Sequence, residues 1–143
     1  AQEPAKILGE QEDGRFREAG FVASARCVRG PVADGHLVAA QIRTRDPITP
    51  DQAETLIREW DGGGLDLPTS PRPVLRVTDL RDRPQPRMDA DAGAGMAVTI
   101  GRIEACPVMG LKLFCLAHNT VRGAAGAAIL NAELLHQRGL LPR

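Results

Sequence analysis

The sequence feature that most constrains the fold lies near the C-terminal end, where an apolar segment runs directly into a helix of small residues. Leu111 to Ala117 is apolar and suited to a strand, and Arg122 to Gln137 is predicted to be a helix that ends at Gly139. Asn119 or Thr120 can cap this helix, which leaves its first amides free at a position where ligands are often held. The chain therefore combines strands with helices.

A second helix is predicted from a capping box. Thr49 is a suitable N-cap, Pro50 suits the first helical position, and Gln52 stands where the reciprocal bond of the box is made. Glycines 62–64 are expected to end the helix. Its apolar positions recur at helical spacing, so one face is expected to lie on a sheet. These positions are Ala53, Leu56, Ile57 and Trp60.

The remaining segments predict one sheet. Strands are expected at Phe21–Val28, Leu37–Ile42, Val74–Val77, Met96–Ile103 and Leu111–Ala117. The first two should be neighbours, because Gly30-Pro31 and Asp34-Gly35 between them favour turns. Residues 65–95 hold five of the eleven prolines and are interpreted as a long surface excursion. The predicted fold is α+β, a single mixed sheet with helices packed on one face and the other face left for a subunit partner.

Composition excludes several classes of partner. The 143 residues suit one domain, 1–143, and 18 basic residues balance 18 acidic ones, so neither nucleic acid nor a membrane surface is expected as partner. Apolar runs fall short of the roughly 20 residues that a membrane span needs. Cys27, Cys106 and Cys115 form no Cys-x-x-Cys pair, which argues against a disulfide scaffold and a metal site and favours the cytoplasm.

Two charged pairs are candidates for chemistry. Arg29 and His36 flank the predicted turns; a guanidinium binds carboxylates and a histidine exchanges protons near neutral pH. Their alternative reading is a solvated strand-end charge and a turn residue. Glu3 and Lys6 are one helical turn apart, so they form either an ordinary surface ion pair or a point charge for a phosphate. Asn119 is either a ligand contact or a simple helix cap.

The run His118-Asn-Thr-Val-Arg-Gly-Ala-Ala-Gly126 resembles the C-terminal signature of aspartate-semialdehyde dehydrogenases, in particular the archaeal and fungal type. Other segments resemble that family in the same order along the chain. They are Glu3–Gly9, Cys27-Val28-Arg29 with Gly35-His36, Arg83-Pro-Gln-Pro-Arg87, Gly95–Val98 and Gly101-Arg102-Ile103.

This resemblance implies the C-terminal catalytic and dimerisation domain of an enzyme of amino-acid biosynthesis, with a fold like that of the C-terminal domain of glyceraldehyde-3-phosphate dehydrogenase. The family's reaction is the NADP-dependent interconversion of aspartyl phosphate and aspartate semialdehyde. By resemblance, Arg29 holds the substrate carboxylate and His36 is the general acid/base. Lys6 binds phosphate, Glu3 orients the substrate, and Asn119 approaches the nicotinamide of NADP.

Two elements of such an enzyme are missing from the sequence. None of the three cysteines stands where the family's nucleophile is expected, so all three are interpreted as packing residues. No Gly-x-Gly-x-x-Gly loop follows a first strand. The dinucleotide-binding domain is therefore expected to be absent, and the chain alone should neither bind NADP tightly nor transfer hydride.

Three functional hypotheses follow. The chain is one half of a working dehydrogenase, completed by a separate dinucleotide-binding chain or segment. Alternatively, it is a non-catalytic dimerisation or regulatory module. The third hypothesis is a nicotinamide-independent enzyme that uses Arg29 and His36 on a small carboxylate substrate. A homodimer is expected in each case.

Overall fold

A computed structural model describes residues 3–141 and divides the chain into two compact units, Ala1–Pro31 and Val32–Arg143. The first unit contains helix α1 (Glu3–Ile7) and a two-stranded hairpin of β1 (Glu10–Glu12) and β2 (Arg15–Arg17). Asp13 and Gly14 join the strands with φ values of 51° and 71°. Two consecutive residues of positive φ make the tight turn that matches the twist of the strands, so Asp13-Gly14 forms a hairpin here.

The prediction of a strand at Phe21–Val28 is wrong. No strand is assigned to these residues in the part of the chain that the structure describes. Val22 is fully exposed and Cys27 is exposed. A strand is stable only when a neighbour accepts and donates its backbone hydrogen bonds, and within residues 3–31 the strand pairing that the structure describes is that of β1 with β2. The predicted strand pair of Phe21–Val28 with Leu37–Ile42 is wrong for the same reason.

The second unit is built on a four-stranded mixed sheet, which confirms the predicted α+β class. Its strands are β3 (His36–Ile42), β4 (Leu75–Thr78), β5 (Val98–Cys106) and β6 (Gly110–Ala117). They lie in the order β3-β6-β5-β4, with β4 parallel to β5 and the other pairs antiparallel. The β5–β6 hairpin is the centre of the sheet and supplies five of the eleven buried hydrophobic residues in the described part of the chain. Core side chains from these two strands are Ile100, Cys106, Leu111, Leu113 and Leu116.

Helix α2 (Pro50–Glu59) begins as its sequence predicts. The Thr49 hydroxyl accepts a hydrogen bond from the amide of Gln52, and the Gln52 side chain accepts one from the amide of Thr49. The helix contacts β4 and β5. Only part of its predicted apolar face is covered, because Ala53 is buried whereas Leu56 is 60% exposed and Trp60 is 46% exposed.

The proline-rich segment before β5 is more than a surface excursion. It contains β4 and the short helix α3 (Pro86–Asp89), and Asp89 is only 3% exposed. The Asp89 carboxylate accepts hydrogen bonds from Arg83 Nη1 at 2.6 Å and from the Gln85 amide at 2.8 Å. A Cβ placed on Gly101 would stand 2.7 Å from the carbonyl oxygen of Arg83. Glycine in β5 therefore allows this segment to lie directly on the sheet.

The chain ends in a π-helical segment (Val121–Ala125) followed by helix α4 (Gly126–Gln137). The predicted stop at Gly139 is confirmed, since this residue has a φ of 66° and donates to the carbonyl of His136. A Cβ on Gly126 would overlap the sulfur of Met96. The small residues of the signature thus let the start of α4 pack closely against the turn before β5.

Candidate functional site

The structure brings two of the predicted site residues, His36 and Asn119, to the same end of the sheet. His36 is the first residue of β3, and its Cα partner on β6 is Ala117, two residues before Asn119. The amide of Gly35 donates a hydrogen bond of 2.8 Å to the Asn119 side-chain oxygen Oδ1. This bond links the residue before His36 directly to Asn119, although 84 positions separate the bonded residues.

Gly35 must be glycine for this arrangement. Its φ is +104°, a conformation that residues with a Cβ rarely adopt. A Cβ would also stand 3.0 Å from Leu116 Cδ1 and 3.4 Å from Pro86 Cβ, so the backbone is closed in by β6 and α3. Gly35 is buried while His36 is exposed. The buried glycine therefore presents an accessible imidazole at the edge of the sheet.

The bond to Gly35 also fixes which way the Asn119 amide faces. A backbone N–H can only donate, so the Asn119 atom that faces it is the carbonyl oxygen. The side-chain NH₂ group then points away from Gly35, and no hydrogen bond from it is formed within residues 3–141. Asn119 therefore presents two donors that can bind an acceptor oxygen.

Neither predicted cap of the C-terminal helical region is used. Thr120 makes no side-chain capping bond, and Asn119 is engaged with Gly35. The imidazole Nδ1 of His118 instead accepts the amides of Thr120 and Val121, both at 3.3 Å. His118 was missed because sequence rules for caps favour Ser, Thr, Asp and Asn. Its position at the start of the polar joint was the available signal.

The other three predicted site residues lie in the first unit. Glu3 and Lys6 are on α1, and Arg29 lies outside any strand. All three side chains are exposed. No ion pair joins Glu3 to Lys6 in the described range 3–141, which does not favour the ordinary surface ion pair as their role. Each remains accessible to a ligand.

The three cysteines differ in burial, although the sequence predicted that all three are packing residues. Cys27 is exposed, so the expectation that it packs is wrong. Cys115 is half-buried, and burial raises the pKa of its thiol. Cys106 is buried at the end of β5, where hydrogen bonds from the amides of Met109 and Val108 lower the pKa of its thiol. Cys106 is thus the thiol whose thiolate the local backbone favours.

Residues 3–141 are the part of the chain that the structure describes. No cluster of three or more His, Cys, Asp or Glu side chains within that range is arranged to hold a metal ion. None of the helices in it combines the length and apolar character required to cross a membrane.

A family comparison shows which group of proteins the chain belongs to. A family model described as semialdehyde dehydrogenase, dimerisation domain, matches residues 1–122. The chain therefore belongs to the semialdehyde dehydrogenase family, as its sequence motifs predicted.

Its relatives include aspartate-semialdehyde dehydrogenases of archaea and fungi. The protein of Archaeoglobus fulgidus is 46% identical over 134 residues, a match that covers 94% of this chain and 38% of the relative. The protein of Schizosaccharomyces pombe is 38% identical over 146 residues, covering 97% of this chain and 41% of the relative. The chain thus spans about two fifths of the length of these relatives.

A solved structure also matches this chain over part of its own length. The crystal structure of aspartate semialdehyde dehydrogenase with NADP from Candida albicans superimposes with a TM-score of 0.87 at 34% identity. The superposition covers 98% of this chain and 42% of that chain. This likeness confirms the predicted α+β architecture and relates it to the C-terminal part of the longer relatives.

Proposed function

We propose that residues 1–143 supply the substrate-binding and dimerisation half of an aspartate-semialdehyde dehydrogenase. The reaction is the interconversion of aspartyl phosphate with aspartate semialdehyde and phosphate. The observation that carries the proposal is the Gly35–Asn119 hydrogen bond of 2.8 Å. It holds a candidate proton-transfer residue, His36, beside a free amide donor in a chain whose relatives carry this enzyme's name.

His36 would move a proton to and from the reacting carbonyl group. A histidine suits this role because its ordinary pKa lies close to neutral pH, so it can both give and take a proton. Its exposed position on the first residue of β3 leaves the imidazole accessible to a substrate. General acid/base catalysis of this kind contributes about 10²–10⁴-fold to the rate.

Arg29, Lys6 and Glu3 would bind the substrate. The Arg29 guanidinium offers a planar fork for a carboxylate, and Lys6 offers a compact positive charge for a phosphate. Glu3, one turn before Lys6 on α1, would orient the bound substrate. Two anionic groups on the substrate would thus be met by two cationic side chains.

NADP would be held only in part by this chain. When bound, the nicotinamide supplies the acceptor and donor of hydride. The free NH₂ of Asn119 fits the carboxamide oxygen of that ring, because its own oxygen is already bonded to Gly35. The phosphate-binding glycine loop and the cysteine nucleophile would come from a second chain or segment, with which this chain forms the complete site.

Two exposed apolar surfaces support these partnerships. The edge strand β3 exposes Leu37, Val38 and Ile42, which suits association with a second copy as the family's dimerisation domain would make it. Helix α4 exposes Ile129 and Leu135. A cytoplasmic location agrees with three free thiols.

The test pairs the chain with the remaining part of the Archaeoglobus fulgidus relative and follows NADPH formation from aspartate semialdehyde and phosphate. We expect the mixture to be active and His36→Ala to lower kcat by about 100-fold or more. Arg29→Lys should raise the KM for aspartate semialdehyde by roughly tenfold, because the bidentate fork is lost.

His136→Ala is the matched control, since His136 is an exposed histidine of α4. Equal rates for the His36→Ala and His136→Ala proteins would contradict the role of His36. Sedimentation of the isolated chain tests the partnership separately. A monomer at all concentrations would contradict dimerisation, and a dimer without activity in any mixture would favour the non-catalytic module.

A further inference from the structure

His118 is a buried polar residue that none of the roles above uses. It is 7% exposed and lies between the last residue of β6 and Asn119. Its side chain is 9% exposed and is surrounded by polar partners. These are the amides of Thr120 and Val121, the Thr120 hydroxyl and the carboxylate of Asp91.

The geometry fixes the form of the imidazole. Nδ1 accepts from two backbone amides at 3.3 Å, and a nitrogen that accepts carries no proton. The neutral ring therefore carries its proton on Nε2, which lies 3.7 Å from Asp91 Oδ1. This arrangement uses His118 as a hydrogen-bond acceptor at the start of a helical region, where amides otherwise lack partners.

His118 is also held through its backbone. Its carbonyl accepts the amide of Gly123 at 2.9 Å, as part of the π-helical segment. Side chain and main chain thus bind three of the next five residues, and Asn119 lies inside that loop. The orientation of the Asn119 side chain toward Gly35 consequently depends on the backbone of residues 118–123. His118 holds that backbone by its imidazole and by its carbonyl group.

We propose that His118 is a positioning residue that holds Asn119 in the conformation that accepts the Gly35 amide and turns its NH₂ group outward. The importance of this role for catalysis rests on the proposed function, because there the Asn119 amide meets the nicotinamide. The contact itself can be measured on the isolated chain, so the two proposals can fail separately.

The experiment compares hydrogen exchange of the Gly35 amide in the wild-type chain and four variants. His118→Leu removes the acceptor by replacing the imidazole with an apolar side chain of similar length, and His118→Asn restores an acceptor of the preferred capping type. Asn119→Ala removes the partner of Gly35 directly. The fourth variant is the double substitution His118→Leu with Asn119→Ala. The amide of Cys115 in the central strand β6 is the internal reference.

We expect exchange at Gly35, relative to Cys115, to be about fivefold or more faster in His118→Leu and in Asn119→Ala. The double variant should be no faster than the faster single variant, because both changes break the same contact. His118→Asn should remain within about twofold of wild type. The side-chain NH₂ resonances of Asn119 should shift in His118→Leu and return toward their wild-type positions in His118→Asn.

The proposal is overturned if Gly35 exchange in His118→Leu matches wild type, or if the effects of the two single variants multiply in the double variant. It is also overturned if His118→Asn behaves as His118→Leu does. Should leucine unfold the unit, Gly35 and Cys115 would lose protection together. The comparison of His118→Asn with Asn119→Ala then decides, since only the latter is expected to expose Gly35 selectively.

Discussion

Asp89 provides a quantitative test of how the second unit is held together. Its carboxylate is 3% exposed, and its partner Arg83 retains 19% of its side-chain surface. Asp89→Ala would leave the guanidinium without its charge partner and the Gln85 amide without its acceptor. Breaking a buried pair costs about 3–5 kcal/mol, and an orphaned buried amide costs about 1–3 kcal/mol.

The combined cost is smaller than the sum of these two values, because the partly exposed Arg83 guanidinium can regain hydrogen bonds to water. We therefore expect Asp89→Ala to lower the free energy of unfolding by about 3 kcal/mol, against a total of about 5–15 kcal/mol for a domain. Urea denaturation followed by the fluorescence of Trp60, the single tryptophan, measures this in the second unit. The midpoint should fall by about 1–2 M urea.

Asp79→Ala is the matched control. Asp79 also pairs with an arginine, Arg58, but its side chain is 82% exposed. An exposed pair contributes about 0–1 kcal/mol, so this midpoint should hardly move. Asp89→Asn should fall between the two, since the amide oxygen can still accept from Gln85. Equal midpoints for Asp89→Ala and Asp79→Ala would refute the argument that burial gives the Asp89 pair its importance.

Three other predictions concern local contacts. Gly126→Ala should destabilise the chain by about 1–3 kcal/mol in urea, because the added methyl group meets the sulfur of Met96. Thr49→Ala should cost about 1 kcal/mol in the same assay, because α2 loses its capping bond. The carboxyl of Glu104 should titrate by NMR below the usual glutamate range, because the hydrogen bond and charge of Lys112 lower its pKa. Lys112→Met should move that titration toward the usual range.

The sign of the Glu104 effect gives its pH window. Because the folded pKa is lowered, the pair stabilises the fold above the ordinary glutamate pKa, and this contribution is lost as pH falls through the lower folded value. An unchanged titration in Lys112→Met would contradict this cause. A wild-type urea midpoint for Gly126→Ala would show that the added methyl group is accommodated beside Met96. A wild-type midpoint for Thr49→Ala would show that another group replaces the capping bond.

Local elements could be predicted from the sequence because their causes are local. Thr49, Pro50 and Gln52 specify the start of α2 by bonds between near neighbours, and the structure confirms them. The β5–β6 hairpin likewise follows from two adjacent apolar runs. The Asp13-Gly14 turn was equally local, and the strands beside it were missed because they are short and wholly exposed.

Long-range contacts could not be predicted in the same way. Phe21–Val28 has a β-suitable composition, but a strand also needs a neighbour, and composition does not specify one. The bond between Gly35 and Asn119 depends on the register of β3 against β6, which no local pattern determines. The family motifs named both residues, whereas the contact that joins them came only from the fold.

We propose that this chain is one half of a dehydrogenase and completes its site with a dinucleotide-binding half. The most direct measurement is NADPH formation from aspartate semialdehyde and phosphate by each half alone and by the two together. We predict activity only in the mixture, with kcat lowered by about 100-fold or more in His36→Ala. Turnover by this chain alone, or a mixture whose rate does not depend on His36, would contradict the account.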